Sequence, residues 1–375
     1  MAIIELEKAK KYKIVVPIYY DGNKRHCATK TIYCGKKEAQ IQEAELKAKI
    51  KNGTYIEKTN ITFKELLNEW TNFKKNKWSP KTYQSNIHWC EVIIDNIGHV
   101  KLSNLNIKTL ENFYDKLKNE IKYSDKTIQH FYTLISGALN KAIDWEYLEK
   151  NPNSKIEKPK VKYKEKNFYN KEEVQELLSA LENESLKYRT LITLALDSGA
   201  RRGEITGLTW NDIDFEHSSI NINKSTQYTA DLGIFEKSPK SNSSNRKIYI
   251  SKTTLNLLKK YQKQQLEKKL KLGNMWGNSQ RVFTTEFGKD MHPDTPSQIF
   301  KKIIKKHNLK KICFHELRHT SISLQISLGI PLQQISRRAG HSNVTITDNV
   351  YSHIFENDKI EISNKIDNFI KEKVI

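Results

Sequence analysis

The chain has 375 residues, with 64 Lys plus Arg against 43 Asp plus Glu, a formal net charge of +21. That length allows two or three domains with a sizeable core, and the basic excess points to a polyanionic partner, nucleic acid before any other. No stretch approaches the ~18 apolar residues of a membrane span, the opening "MAIIELEKAKKYKIVV" lacks the pattern of a signal peptide, and four scattered cysteines form no disulfide framework, so a reduced cytosol is expected.

The first segment covers residues 1–57. "YKIVVPIYY" is rich in β-formers and stops at the turn Asp21-Gly22. "KRHCATKTIYC" is a second extended run, and "KKEAQIQEAELKAKIKNG" reads as a helix closed by Asn52-Gly53. Pro17 confines its strand to an edge or a bulge. A small sheet backed by one helix, with Lys24, Arg25 and Lys30 near the turn, suits entry into a DNA major groove as a β-ribbon. His26, Cys27 and Cys34 are metal-ligating types, but their spacing matches no common zinc module.

Residues 60–155 read as all helix. "TFKELLNEWTNFKK" has Phe63, Leu66, Leu67 and Trp70 at helical spacing behind Thr62, a cap. "SPKTYQSNIHWCEVIIDNIG" begins with the Ser79-Pro80 start signal and ends at Gly98. "NIKTLENFYDKLKN" and "SDKTIQHFYTLISGALNKAIDWEYL" supply two more helices, whose apolar stripes make a compact bundle. Residues 156–167 form a basic linker, with Lys160 and Lys162 placed to follow a phosphate backbone. Residues 168–375 are mixed α and β, mainly α.

The chemistry lies in that last segment. "LITLALDSGARRGEITGLTW" sets Arg201 just after a Ser198-Gly199 turn, with Glu204 one helical turn on. "KSPKSNSSNRKIYI" sets Lys240 in a Ser/Asn-rich loop before a β-like run. "CFHELRHTSISLQ" holds His315 and Arg318, and "SRRAGHSNVTITDNVYSHI" places His341 after the helix stop Gly340 and Tyr351 ten residues later. His315, Glu316 and His319 also fit the H-E-x-x-H pattern of a zinc protease. Arg318 puts a fixed cation on the same turn, and Ile322 and Gln325 fill the glycine and third-histidine places of the extended motif. A more distant third ligand such as Glu356 stays open, so these residues favour a site that grips an anion without closing the zinc reading, and it is the resemblance below that implies no metal.

Taken in this order, the motifs "SGARRGEITGLTW", "PKSNSSNRKIYI", "HELRHT", "AGHS" and "DNVYSHI" resemble those of the tyrosine recombinases, and within them the integrases of phages and conjugative transposons. The resemblance covers nearly the whole chain. It implies a multidomain protein: a small three-stranded sheet plus helix that binds arm-type DNA, a helical core-binding domain, and a mixed α/β catalytic domain. It implies Arg201 and Arg318 as paired arginines, Lys240 as the hairpin lysine, His315 and His341 as the two histidines, Tyr351 as nucleophile and Glu204 as the supporting acid. Ala200 and Ala339 stand where the family often has Leu, and Arg202 doubles the first arginine, though the S-G-x-R frame selects Arg201.

These residue types suit phosphodiester chemistry. Arginine stays charged and offers a planar fork to two phosphate oxygens. Glu316 and His319 are then left to pack or to position the helix. By the family's precedent His315 takes the tyrosine proton, and Lys240 protonates the leaving 5′-oxygen. Attack leaves a 3′-phosphotyrosine and a free 5′-hydroxyl, so neither ATP nor any other cofactor is needed. The tail carries Ile362, Ile366, Phe369 and Ile370 on one helical face, which packs on its own domain or, by the resemblance, docks on a neighbouring protomer in a tetramer. The expected function is site-specific integration and excision of a mobile element. Its partners are double-stranded DNA and, by the resemblance, an excisionase and a DNA-bending host factor; the setting is the bacterial cytosol or nucleoid. A type IB topoisomerase and an inactive DNA-binding regulator are the competing readings.

Overall fold

The computed structural model describes residues 2–7, 10–20, 22–23, 25–52, 60–161, 167–237 and 245–340, together with Asp367, Ile370 and Lys371. Residues 1–162 and 163–375 form two compact units.

The first unit opens with a three-stranded antiparallel sheet, β1 (Ala2–Glu7), β2 (Lys11–Tyr20) and β3 (Arg25–Ile32), in the order β1-β2-β3. Alternation along β2 buries Tyr12, Ile14 and Val16. Ile14 and Val16 pack with Ala28 and Leu46, the latter on the helix α1 (Lys36–Lys51). Residue patterning within 11–52 gives only two of these strands; the third is the "AIIELE" run ahead of them, aligned with Ala2 opposite Val15. Pro17 lies on the central strand. It has no N–H to donate, and the chain accommodates it because pairing with β1 ends at Val15 and the register with β3 shifts between Pro17 and Tyr19.

Four helices follow: α2 (Phe63–Lys74), α3 (Pro80–Ile97), α4 (Ile107–Asn119) and α5 (Asp125–Asp144). α2 begins with a capping box, in which Thr62 accepts from the Glu65 N–H and Glu65 accepts from the Thr62 N–H at 2.7 Å. Such a cap contributes about 1 kcal/mol. Ser79 sits where a cap is expected, but its hydroxyl bonds the Thr82 hydroxyl instead of a backbone N–H. Phe63, Leu66, Ile93, Leu110, Leu117, Phe131, Ile135 and Leu139 fill the centre. Beyond α5, the buried Asn153 takes the Tyr114 hydroxyl at 2.8 Å and donates to the Tyr132 carbonyl and the Ser136 hydroxyl, pinning the chain to the bundle.

The second unit contains α6 (Lys171–Leu181), α7 (Leu186–Ser198) and the short α8 (Arg202–Gly207). Among the described residues five strands come next: β4 (Ile213–Asp214), β5 (Ser219–Ile222), β6 (Ser225–Thr229), β7 (Gly233–Lys237) and β8 (Arg246–Tyr249). They make an antiparallel sheet in the order β4-β5-β8 and a separate β6-β7 hairpin. Further along stand the helices α9 (Lys252–Leu272), α10 (Thr295–Lys306), α11 (Glu316–Ser327) and α12 (Leu332–Ala339). Leu191, Leu194, Ile205, Ile220, Ile248, Leu258, Phe283 and Phe300 form a continuous core beneath them. α12 packs on α11 through a separate, smaller cluster of Ile322, Ile326, Ile335 and Ala339. No helix among the described residues is long and apolar enough to cross a membrane.

Candidate active site

α7 ends at Gly199 in a left-handed conformation (φ 61°), and the chain then extends through Arg201, which stands just ahead of α8. From the first turn of α8 Glu204 reaches back. Its carboxylate accepts from the Arg201 N–H at 2.8 Å and from Arg201 Nη1 at 2.9 Å. Arg201 Nη2 donates to the Gly340 carbonyl at 3.1 Å. Arg318, on α11, is 4% exposed; Nη1 donates to the Gly199 carbonyl at 2.8 Å and Nη2 to the Ala339 carbonyl at 2.7 Å. Helix C-termini leave carbonyls without intrahelical partners and carry partial negative charge, so two guanidinium groups are a natural complement to the ends of α7 and α12. The Arg201 side chain remains 41% exposed, a cation open to solvent on one side.

Arg202 does not share this role. Its Nη1 donates to the Ser297 hydroxyl at 2.9 Å and its Nη2 pairs with Asp294 at the start of α10. Of the two adjacent arginines, Arg201 is thus the one at the α12 end.

Arg246 was not singled out in the sequence, yet it is central here. Its side chain is 7% exposed, and its two terminal nitrogens bond the two oxygens of Glu204 at 3.2 and 2.9 Å. Its Nε donates to the Arg338 carbonyl at 2.8 Å. Arg338 in turn bonds the Tyr249 carbonyl at 2.6 Å and the Asp197 carbonyl at 2.9 Å. Burial alone would raise the Glu204 carboxyl, but the hydrogen bonds and charge of Arg246, with those of Arg201, outweigh it and hold the group below the ordinary carboxylate range. The available signal was modest: an arginine opening a β-run directly behind the Lys240 loop.

His315 and Arg318 differ in setting more than their spacing suggests. His315 stands at the N-cap position of α11 and is exposed, whereas Arg318 is buried. His315 and His319 pack edge to face, with ring centroids 5.4 Å apart. The Glu316 carboxylate accepts the Cys313 N–H and closes the start of the helix. Among the described residues no group of three or more His, Cys, Asp or Glu stands together as a metal cluster.

Lys240, His341 and Tyr351 lie outside the described residues, as do Lys24 and Lys162 of the expected DNA contacts. His341 follows Gly340 directly in the chain. Arg25 opens β3 and is exposed; Lys30 is exposed and donates to the Gln42 amide oxygen on α1; Lys160 is exposed and pairs with Glu157 at 2.8 Å. Of the tail face, Ile362, Ile366 and Phe369 lie outside the described residues, and Ile370 is 53% exposed.

Residues 167–358 match the phage integrase family, and residues 62–118 match the phage integrase N-terminal SAM-like domain. The chain is 30% identical to the "Tyrosine recombinase XerC-like" protein of Caldanaerobacter subterraneus subsp. tengcongensis over 93% of each sequence. It is 26% identical to the ICEBs1 integrase of Bacillus subtilis, over 99% of this chain and all of that protein. In fold it is similar to the Tn1549 transposon integrase solved with transposon right end DNA, with a TM-score of 0.71 at 21% identity, covering 81% of this chain and 99% of the other.

Proposed function

The chain belongs to the phage integrase family, the tyrosine recombinases, and on that premise we propose how its own residues cut and rejoin DNA. It is a site-specific recombinase of the integrase type, an enzyme that integrates and excises a mobile element. The residue roles that follow are our reading.

The scissile phosphate sits against Arg201 and Arg318. Their forks neutralise the non-bridging oxygens and stabilise the charge that builds in the transition state. The Tyr351 oxygen attacks phosphorus and yields its proton to His315, with His341 as a further donor to the phosphate. The bond to the 5′-oxygen breaks, and Lys240 protonates that oxygen as it leaves. The products are a 3′-phosphotyrosine and a free 5′-hydroxyl. The phosphodiester energy is kept in the covalent link, so a 5′-hydroxyl from a second duplex reverses the step and completes strand exchange without ATP or metal. The observation that carries this reading is the meeting of Arg201 and Arg318 at the end of α12, one residue before His341.

Residues 1–57 are assigned to arm-type DNA, with Lys24, Arg25 and Lys30 toward the duplex, and residues 60–155 to the core site; the basic 156–167 linker, with Lys160 and Lys162, leads from these to the catalytic residues 168–375. Support comes from the exposure of Arg25, Lys30 and Lys160 and from the net charge of +21. The active assembly is a tetramer on DNA linked by the C-terminal tails, helped by an excisionase and a DNA-bending host factor, in the bacterial cytosol or nucleoid.

A two-site recombination assay run beside a supercoil-relaxation assay tests the function. The expected result is exchange of flanks between two attachment-site duplexes, in the presence of EDTA and without ATP. Relaxation alone would mark a topoisomerase, and binding without cleavage a regulator.

A further inference from the structure

We propose that Arg246 is a positioning residue for strand cleavage: it aligns Arg201 through the shared Glu204 carboxylate and fixes the end of α12 that leads into His341. This rests on the reading above, in which Arg201 and His341 face the phosphate.

The geometry is that of a shared clamp. Each Glu204 oxygen takes one bond from each arginine: Oε1 from Arg201 Nη1 and Arg246 Nη1, Oε2 from the Arg201 N–H and Arg246 Nη2. With both oxygens held from two sides the carboxylate cannot rotate, and the Arg201 guanidinium is aimed by it. A third donor, Nε, simultaneously holds the Arg338 carbonyl. The last turn of α12 closes onto the same guanidinium at Gly340, where a Cβ would stand 2.9 Å from Arg246 Nη1. Arg246 also opens β8, six residues after Lys240 in the chain. One side chain therefore ties together the strand behind the general acid, the carboxylate behind the first arginine, and the helix end ahead of His341.

Stability alone does not account for such an arrangement. The desolvation of two buried charges offsets most of their attraction, and apolar residues of similar size often replace a buried ion pair without loss. What the ion pair adds over an apolar pair is orientation. Only a planar fork can bond both carboxylate oxygens and still leave Nε for a backbone carbonyl; a lysine ammonium is a point charge.

The test uses the full-length protein and a nicked suicide substrate built on the junction of the mobile element that carries the gene. It measures DNA affinity, melting temperature and single-turnover cleavage at saturating DNA. For Arg246→Lys we expect affinity within about twofold of wild type and cleavage slowed by ~10²-fold, the scale of a misaligned catalytic group. In an Arg201→Lys background the same change is expected to slow cleavage by less than about threefold, because residues acting through one another are not additive. If Arg246→Lys melts below the assay temperature, Glu204→Asp, which withdraws the carboxylate from both arginines, runs the same cycle with the same expectation. Wild-type cleavage by the single variant, or effects that multiply in full, would overturn the proposal and leave the recombinase reading intact. A wild-type protein that forms no covalent adduct would strike the reading itself.

Discussion

Arg201 and Arg318 donate to the carbonyls of consecutive residues, Arg201 to Gly340 at 3.1 Å and Arg318 to Ala339 at 2.7 Å. The arginines lie far apart in the sequence, yet one helix end holds both. The last turn of α12 is thus a template for the pair of cations, and its shape depends on Gly340 adopting φ 69°.

Gly340→Ala is therefore expected to cost more than backbone strain. The left-handed conformation carries a penalty of roughly 1–2 kcal/mol for a residue with a Cβ, and here the Cβ would also press on Arg246. Gly233 is the control: its φ is 64°, and an added Cβ would meet nothing within 4 Å. Thermal melting should show both variants destabilised. Single-turnover cleavage should fall by at least about tenfold for Gly340→Ala and stay at the wild-type rate for Gly233→Ala. Equal cleavage by the two would refute the template.

Glu204 should give the fold a marked acid dependence. Its carboxyl titrates below the ordinary range when folded, so its contribution is fully present above the unfolded value of ~4.3 and fades as pH falls through the lower folded value. Glu204→Gln loses that contribution at every pH and leaves Arg246 buried beside a neutral amide. Urea unfolding should show a deficit of about 3 kcal/mol at neutral pH, the scale for breaking a buried pair, shrinking as the pH drops below ~4. A deficit of constant size from neutral to acid pH would contradict this account.

Arg201, Glu204 and Arg318 could be found from the sequence because each sits in a short local frame, S-G-x-R with an acid one turn on, and the HELRH run. Arg246 could not. It reaches Glu204 and Arg338, 42 and 92 residues away, and nothing local distinguishes an arginine at the start of a strand. β1 was similarly hard to read from pattern, since its pairing with β2 depends on a register that only the folded sheet displays. α8 has six residues, fewer than two turns, too few for an apolar period to show. Thr62 and Ser79 both looked like caps, and only Thr62 bonds the helix backbone; the Thr82 hydroxyl competes for Ser79. Patterns local in the chain were readable, while contacts made across it were not.

Peptide mapping of a trapped covalent complex decides whether Tyr351 is the nucleophile. Wild-type protein is captured on the nicked suicide substrate, digested with protease, and the DNA-linked peptide sequenced by mass spectrometry. Tyr351→Phe keeps the ring and removes one oxygen, so it should bind the site as wild type does and form no adduct. Mapping should return a single DNA-bearing peptide, linked through a 3′-phosphate to Tyr351. DNA attached to any other residue, or a Tyr351→Phe protein that still cleaves, would contradict that assignment.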